Sequence, residues 1–247
     1  MNASSQQVGR LYGVGIGPGD PDLMTVKAIR ALESSQVIGH FSKRGHAGNA
    51  RRIIDRFLAN GVTELPFCYP VTTELDRHGE CYRSQIAGFF DESAEAVRAH
   101  LRAGRTVSVV SEGDPFFYGS YMHLHVRLMG EFPTEVIPGV TAMSGCWSIA
   151  GVPIAQGDDV MMVLPGTLER AELERRLSDC NAAIIMKVGR NLPKIRAALA
   201  AAGRLERAIY VERGTMADGR TMPLADKPDD AAPYFSIVLV PGWETIA

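Results

Sequence analysis

The residues of this chain best suited to close work are those with the least side chain. GVGIGPGDP occupies 13–21, and six of its nine positions are Gly or Pro, which lack a side chain or lock the backbone before a helical pattern begins. A glycine turn between strand and helix cradles a pyrophosphate in many dinucleotide sites, through backbone N–H groups and the helix dipole. That fingerprint, G-x-G-x-x-G, fails in every register here: the sixth position is Pro18 from Gly13, Asp20 from Gly15 and Asp22 from Gly17. No Lys follows, as a phosphate loop requires. An Asp at a helix entrance repels an anion, and Asp20 reads better as an N-cap with Pro21 at the first helical position. The glycines therefore serve either a tight turn or a large, flat or uncharged ligand.

Two more stretches share this punctuation, SEGDPFFYG at 111–119 and IPGVTA at 137–142. Each alone is satisfied by a turn plus a cap; as a set just after β-rich runs they are harder to dismiss. A different chemistry gathers in 40–56, where Lys43, Arg44, Arg51, Arg52 and Arg56 stand with His40 and His46 against Asp55 alone. Arg grips a carboxylate with two parallel hydrogen bonds, so the segment suits a carboxylate-rich ligand, or else a solvated helix face. Lys43, Arg44 and His46 follow a β-rich run and are the nearer to a ligand edge, whereas Arg52 and Arg56 share a face of a helical pattern over 51–58. His78, beside Arg77 in a polar stretch, meets carboxylates or only water. His100 falls in a helical pattern, and His123 and His125 are two apart, so on a helix they face different ways.

The elements that must hold these groups alternate. Strands are expected at 11–16, 36–41, 62–67, 106–111 and 134–137, with helices at 22–33 and 93–103. A second series of strands follows at 160–164, 182–188, 208–212 and 236–240, with helices at 168–177 and 192–201. Alternation of this kind predicts an α/β fold with parallel strand pairs, whose ligands gather at the C-terminal strand ends. The polar stretch 153–159 marks a hinge between two α/β domains, taken as 1–148 and 149–247.

Composition narrows the function classes. A net charge of −2 over 247 residues gives no global case for nucleic acid or an anionic membrane. Cys68, Cys81, Cys146 and Cys180 form no C-x-x-C pair, which argues against a zinc or thiol redox site and fits a reducing compartment. No His, Asp and Glu set has metal-ligand spacing, so no metal is expected. The opening MNASSQQVGR lacks the apolar core of a signal peptide, and no apolar run approaches membrane-spanning length, so a cytoplasmic location is expected.

In order and spacing, GVGIGPGDPDLMT, GDP followed by aromatics and Gly, and PGVTA together resemble the tetrapyrrole (corrin/porphyrin) methyltransferase family, over essentially the whole chain. The resemblance implies two α/β domains of the tetrapyrrole methylase type with the active-site cleft between them. It also implies S-adenosylmethionine as methyl donor, S-adenosylhomocysteine as product and a homodimer. FSKRG at 41–45, PVTTE at 70–74, IMKVGRN at 185–191 and YFSI at 234–237 resemble the branch that methylates precorrin-2 at its C-20 meso carbon in cobalamin synthesis. By this resemblance the cofactor contacts are Pro18, Glu112, Gly113, Asp114, Phe117, Thr141 and Ala142, with Met186, Val211, Glu212, Arg213 and Gly214 from the second domain. Asp114 reads equally as an N-cap before Pro115. Lys43, Arg44, His46, Arg51 and His78 would meet the substrate carboxylates. Glu112 departs from the small residue that other branches carry there.

Methyl transfer from a sulfonium is an in-line displacement whose leaving thioether needs no protonation, so no residue is singled out as catalytic. Alignment alone can supply roughly 7–11 kcal/mol of such a barrier. Rival readings are methylation at another corrinoid position, the C-20 reaction on a cobalt-containing substrate, a nicotinamide-linked oxidoreductase and a non-catalytic tetrapyrrole carrier.

Overall fold

The computed structural model describes residues 8–43, 45, 48–70 and 80–242. Its contacts divide the chain into two units that meet in sequence between Thr141 and Ala142. This division groups the helix that follows IPGVT with the second unit.

The first unit runs β1 (Leu11–Gly15), α1 (Val26–Ser34), β2 (Val37–Lys43), α2 (Asn49–Ile54), β3 (Thr63–Tyr69), α3 (Glu80–Arg102), β4 (Val107–Ser111), α4 (Tyr121–Leu128) and β5 (Thr134–Ile137). Its five strands lie in the order β3-β2-β4-β1-β5, and all are parallel. A parallel sheet needs crossover helices, and these cover both faces, so successive residues of one strand enter different cores. Val37, Val107 and Val109 pack with Phe90, Val97 and Leu101 of α3 and Leu124 and Leu128 of α4. Their neighbours Ile38 and Val110 pack with Ala28 and Leu32 of α1 and Ile53 and Ile54 of α2. The helices after β1 and β4 thus leave to opposite faces, which sets the two strands' following loops side by side at the C-terminal edge.

Local chemistry fixes the boundaries. Asp20 caps a 3-10 turn, Pro21–Leu23, accepting from the Asp22 N–H, and Thr25 caps α1 in its own right. The expected single helix over 22–33 is therefore two pieces. α3 starts well before the expected 93, because the apolar spacing of Phe90, Ala94, Val97 and Leu101 extends back to Ile86. α2 stops at Ile54 and tightens into a 3-10 turn, Asp55–Phe57, so Arg52 and Arg56 part: Arg52 donates to the Asn49 side chain and Arg56 pairs with Asp22.

The second unit runs α5 (Ala142–Ala150), β6 (Met161–Pro165), α6 (Arg170–Ser178), β7 (Ala182–Met186), α7 (Leu192–Ala201), β8 (Ile209–Glu212), β9 (Arg220–Pro223) and β10 (Ser236–Val240). Its sheet has the order β6-β7-β10-β8-β9; only β6 and β7 are parallel, the other pairs being antiparallel. Along β10, Val238 and Val240 face α6 and α7, while Ile237 and Leu239 join Cys146 of α5. β9 was not expected: its sequence RTMP is short, mostly exposed and ends in Pro, as suits an edge strand.

Candidate active-site loops

The three Gly/Pro stretches meet at the C-terminal edge of the first sheet, and they meet through backbone. The Gly113 N–H donates to the Gly17 carbonyl at 2.8 Å, forming an isolated antiparallel bridge between the loops after β1 and β4. A Cβ on Gly139 would lie 2.1 Å from the Gly113 oxygen, and one on Gly15 would lie 2.5 Å from the Gly139 nitrogen. No side chain fits at either position. Gly17 and Gly113 also hold φ of 80° and 67°, in the left-handed region that glycine enters without strain. Close approach of loop to loop is thus one physical reason for the glycines that open the chain.

Asp114 is both of the things its sequence allowed. One carboxylate oxygen accepts from the Phe116 N–H at 2.9 Å, as a local cap does, and the other accepts from the Gly139 N–H at 3.2 Å, which ties the second loop to the third. Above it, Phe116 and Tyr118 are exposed. Phe116 leans on Tyr121 and His125, while Tyr121 lies flat where a Gly13 side chain would be. Phe117 is half-buried, Pro18 is buried, and Thr141 closes the unit half-buried.

Glu112 turns away from these loops. Its largely buried carboxyl lies against the Asn49 side chain and the Ala50 N–H at the start of α2, with the Arg52 charge nearby. Burial pushes it above the usual carboxylate range, and those three neighbours oppose the shift. Just before it, the Ser111 hydroxyl is buried and has no partner among the described residues.

The basic segment resolves into separate fates. Lys43 ends β2, exposed and without an ion pair to any described residue. Arg51 is committed: its guanidinium grips both oxygens of Glu64, at 2.5 and 3.0 Å, and Asp55 at 2.7 Å. The reading of Arg51 as a substrate clamp therefore meets two carboxylates of the chain itself. Glu64 also approaches the buried His40 at 3.4 Å. Desolvation holds the His40 pKa below its ordinary value, against the pull of Glu64. Arg44, His46 and His78 lie outside the described residues.

In the second unit, Met186 ends β7 half-buried. Val211 is fully buried among Cys146, Ile184 and Leu239, so its side chain belongs to that core. Glu212 accepts from the Tyr210 hydroxyl at 2.8 Å. Gly214 packs on α5, where an added Cβ would lie 2.6 Å from the Cys146 sulfur. Ala142 begins that helix. Among the described residues the non-glycine positions with positive φ are Tyr118, Lys187, Arg213 and Thr215. All four follow strand ends β4, β7 and β8, and Thr215 is β-branched, a rare choice for φ of 68°. Strain concentrated at such loops is a signature of functional sites. Of the four, the sequence pointed to Arg213 as a cofactor contact by resemblance and to the Tyr118 hydroxyl as a substrate contact or packing; backbone conformation of this kind leaves no pattern to read.

The sequence model of the Tetrapyrrole (Corrin/Porphyrin) Methylases matches residues 10–226. The chain belongs to that family. This methylase is 64% identical over 96% of its length to the precorrin-2 C(20)-methyltransferase of Sinorhizobium sp, of which it covers 97%. It is 30% identical, over 96% of its length and 98% of the other, to the cobalt-precorrin-2 C(20)-methyltransferase of Salmonella typhimurium. A solved uroporphyrin-III C-methyltransferase from Thermus thermophilus, complexed with S-adenosylhomocysteine, shares the fold with a TM-score of 0.64 and 23% identity, covering 94% of this chain and 97% of that one.

The methylase's loops fit a sulfonium donor better than a phosphate. Carboxylates Asp20 and Asp114 flank them, backbone groups and a buried Ser111 hydroxyl with no partner among the described residues line them, and exposed aromatic rings stand beside them. Among the described residues no cluster of three or more His, Cys, Asp or Glu is placed to hold a metal, and no helix is long and apolar enough to cross a membrane.

Proposed function

We propose that the chain transfers the methyl group of S-adenosylmethionine to the C-20 meso carbon of precorrin-2, giving precorrin-3A in cobalamin biosynthesis. The observation that carries this reading is the 64% identity, end to end, with a precorrin-2 C(20)-methyltransferase. The relative named for cobalt-precorrin-2, at 30%, is more distant than that one. The donor supplies an electrophilic methyl carbon on a positively charged sulfur, and the meso carbon supplies the electron pair. What the protein must contribute is alignment of that carbon opposite the departing sulfur, with water excluded.

The glycine loops suit that task. Gly15, Gly17, Gly113 and Gly139, locked by contact and by Asp114, make a rigid floor of main chain on which an adenosine or methionine moiety can rest without meeting a side chain. Pro18, Gly113, Asp114, Phe117 and Thr141 are the cofactor contacts of this reading in the first unit; Ala142, Met186, Glu212, Arg213, Gly214 and the Val211 backbone are those of the second. Lys43, with Arg44, His46 and His78, receives substrate carboxylates. The active form is a homodimer in the cytoplasm, an assembly that light scattering on the purified protein reads directly.

The test is incubation with precorrin-2 and S-adenosylmethionine carrying a carbon-13 methyl group, followed by NMR of the product. One labelled methyl on the C-20 meso carbon is the expected result. A label at another carbon overturns the position. Transfer only to the cobalt-containing substrate overturns the metal-free assignment, and tight macrocycle binding without transfer leaves a carrier.

A further inference from the structure

Strand β8 ends on Glu212, and the residues after it carry two of the strained backbone positions, Arg213 with φ of 48° and Thr215 with φ of 68°. Such positions persist only where the surrounding structure over-determines them. Here the chain is gripped on both faces of the second sheet. On the face of α6 and α7, the fully buried Tyr210 donates its hydroxyl hydrogen to a carboxylate oxygen of Glu212 at 2.8 Å. On the face of α5, Gly214 packs so closely that an added Cβ would lie 2.6 Å from the Cys146 sulfur. Between them the Arg213 N–H donates to the Phe235 carbonyl at 2.7 Å.

The Tyr210 hydroxyl is fixed in its turn. A carboxylate only accepts, so the phenol's single hydrogen goes to Glu212, while the Ser236 hydroxyl meets the phenol oxygen at 3.0 Å. Burial pushes the phenol up to about 12, which keeps its hydrogen in place at any ordinary assay pH. The buried Lys227 places its ammonium over the ring, 4.9 Å from the centroid, and pairs with Asp229. Arg196 of α7 holds that segment, donating to the Lys227 carbonyl at 2.5 Å and the Asp229 carbonyl at 3.2 Å. The guanidinium groups of Arg213 and Arg220 stand off the other Glu212 oxygen at 3.8 and 3.9 Å, beyond hydrogen-bond reach. The short bond on this carboxylate therefore comes from the core.

We propose that Tyr210 is a positioning residue: by fixing the Glu212 carboxylate against the core, it holds residues 213–215 in the strained path in which their main chain meets the methyl donor. The inference rests on the function proposed above, in which these residues are cofactor contacts. What Glu212 offers S-adenosylmethionine is then its main chain, because its side chain is committed to Tyr210. Without the hydroxyl the loop relaxes toward unstrained conformers. Apparent affinity for the methyl donor then falls with the fraction still competent, and a saturating concentration draws the loop back.

The experiment compares Y210F, which keeps the ring and removes the hydroxyl, with E212A, which removes the acceptor, and with the double variant. Calorimetry gives the affinity for S-adenosylmethionine, an absorbance titration gives that for precorrin-2, and steady-state methyl transfer gives KM and kcat. Y210F should bind S-adenosylmethionine about tenfold more weakly, the lower end of what one hydrogen bond to a charged group is worth. KM for S-adenosylmethionine should rise with that loss, while kcat at saturation stays within about twofold and precorrin-2 affinity is unchanged. E212A and the double variant should each lose about as much as Y210F, as the two ends of one contact do. E212Q, which keeps an acceptor for the phenol, should retain most of the affinity. Wild-type affinity in Y210F overturns the inference, and a loss in E212A alone would then make Glu212 a direct partner of the methyl donor's ammonium group. A fall of kcat and of precorrin-2 affinity alongside the loss also overturns it, since a generally loosened fold does that. If Y210F does not fold, E212A and E212Q decide: loss in the first with affinity kept in the second supports the contact, and equal losses overturn it. Wild-type protein that binds S-adenosylmethionine but transfers no methyl overturns the proposed function instead, and calorimetry still decides the role of Tyr210. Wild-type protein that binds no S-adenosylmethionine overturns both.

Discussion

Gly139→Ala tests the loop contact at its tightest point. The new Cβ would stand 2.1 Å from the Gly113 carbonyl oxygen and 2.9 Å from the Gly15 backbone, and none of these atoms can swing aside as a side chain would. Restoring ordinary contact needs the loops to part by about 1 Å, an overpacking that costs roughly 1–3 kcal/mol. The same shift pulls the Gly139 N–H from Asp114, now 3.2 Å away. A hydrogen bond to a charged group adds about 1.5–3 kcal/mol. The sum, roughly 2.5–6 kcal/mol, is a large part of a domain's stability of about 5–15 kcal/mol. At about 2–4 °C per kcal/mol for a protein of this size, the melting transition should fall by at least 5 °C. In whatever protein remains folded, the loops are misplaced by about 1 Å, so methyl transfer should fall on the order of a hundredfold. Thermal unfolding followed by circular dichroism and label transfer from carbon-13 S-adenosylmethionine read the two effects. A variant with wild-type melting and wild-type transfer would refute the claim that Gly15, Gly113 and Gly139 are fixed by mutual contact.

Gly88→Ala makes the opposite prediction: the site is inside α3 with open space around a new Cβ, so the variant should gain about 0.5–1 kcal/mol in chemical denaturation. Lys43→Ala should raise KM for precorrin-2 by more than Arg51→Ala does, because Arg51 already serves Glu64 and Asp55; the reverse order in steady-state kinetics would return Arg51 to the substrate. His40, neutral by burial, binds its proton less readily folded than unfolded. Its contribution is complete above the ordinary histidine range and is lost as pH falls through and below 6.5. Melting temperatures between pH 8 and 5 should therefore fall less steeply in His40→Gln than in the wild type. Burial pushes the Cys146 thiol up to about 12, whereas Cys68 is exposed. Iodoacetamide at pH 8 should therefore modify Cys68 in the native protein and spare Cys146, as peptide mass spectrometry would show.

Regular structure was legible wherever pattern and period agree. All nine expected strands exist, because each is a run of β-branched or apolar residues broken by Gly or a charge, and α7 matches its expected range of 192–201. The direction of the second sheet was not legible. β8 and β10 read as the same kind of apolar run as β1 and β4, and nothing in a run says which way its neighbour points. Strand β9 and the early start of α3 were missed for different reasons. The first has too little apolar surface to show a period, and the second interleaves its apolar positions with Glu, Arg, Gln and Gly. For the site, sequence located the loops through their Gly and Pro residues. It did not locate the partners, since Gly15 against Gly139 and Glu112 against Ala50 are contacts across tens of residues.

The two carboxylates of SEGDP show why residue type alone under-determines a role. Asp114 and Glu112 are two positions apart on an extended chain, but Asp114 lies beyond the left-handed turn at Gly113 and Glu112 before it. Asp114 is thereby turned back over the glycine loops, where two backbone N–H groups occupy it. Glu112, still in strand register with Val110, emerges on the side of α1 and α2. One glycine with φ of 67° thus sends one carboxylate to the loops after β4 and β5 and the other to the basic segment. Any residue with a Cβ at 113 would favour an extended backbone, and both carboxylates would then emerge on one face. Gly113→Ala should accordingly disturb cofactor and substrate affinity together, which calorimetry with S-adenosylmethionine and an absorbance titration with precorrin-2 would measure. Loss of one affinity with the other intact would mean that the two carboxylates are positioned independently of the turn.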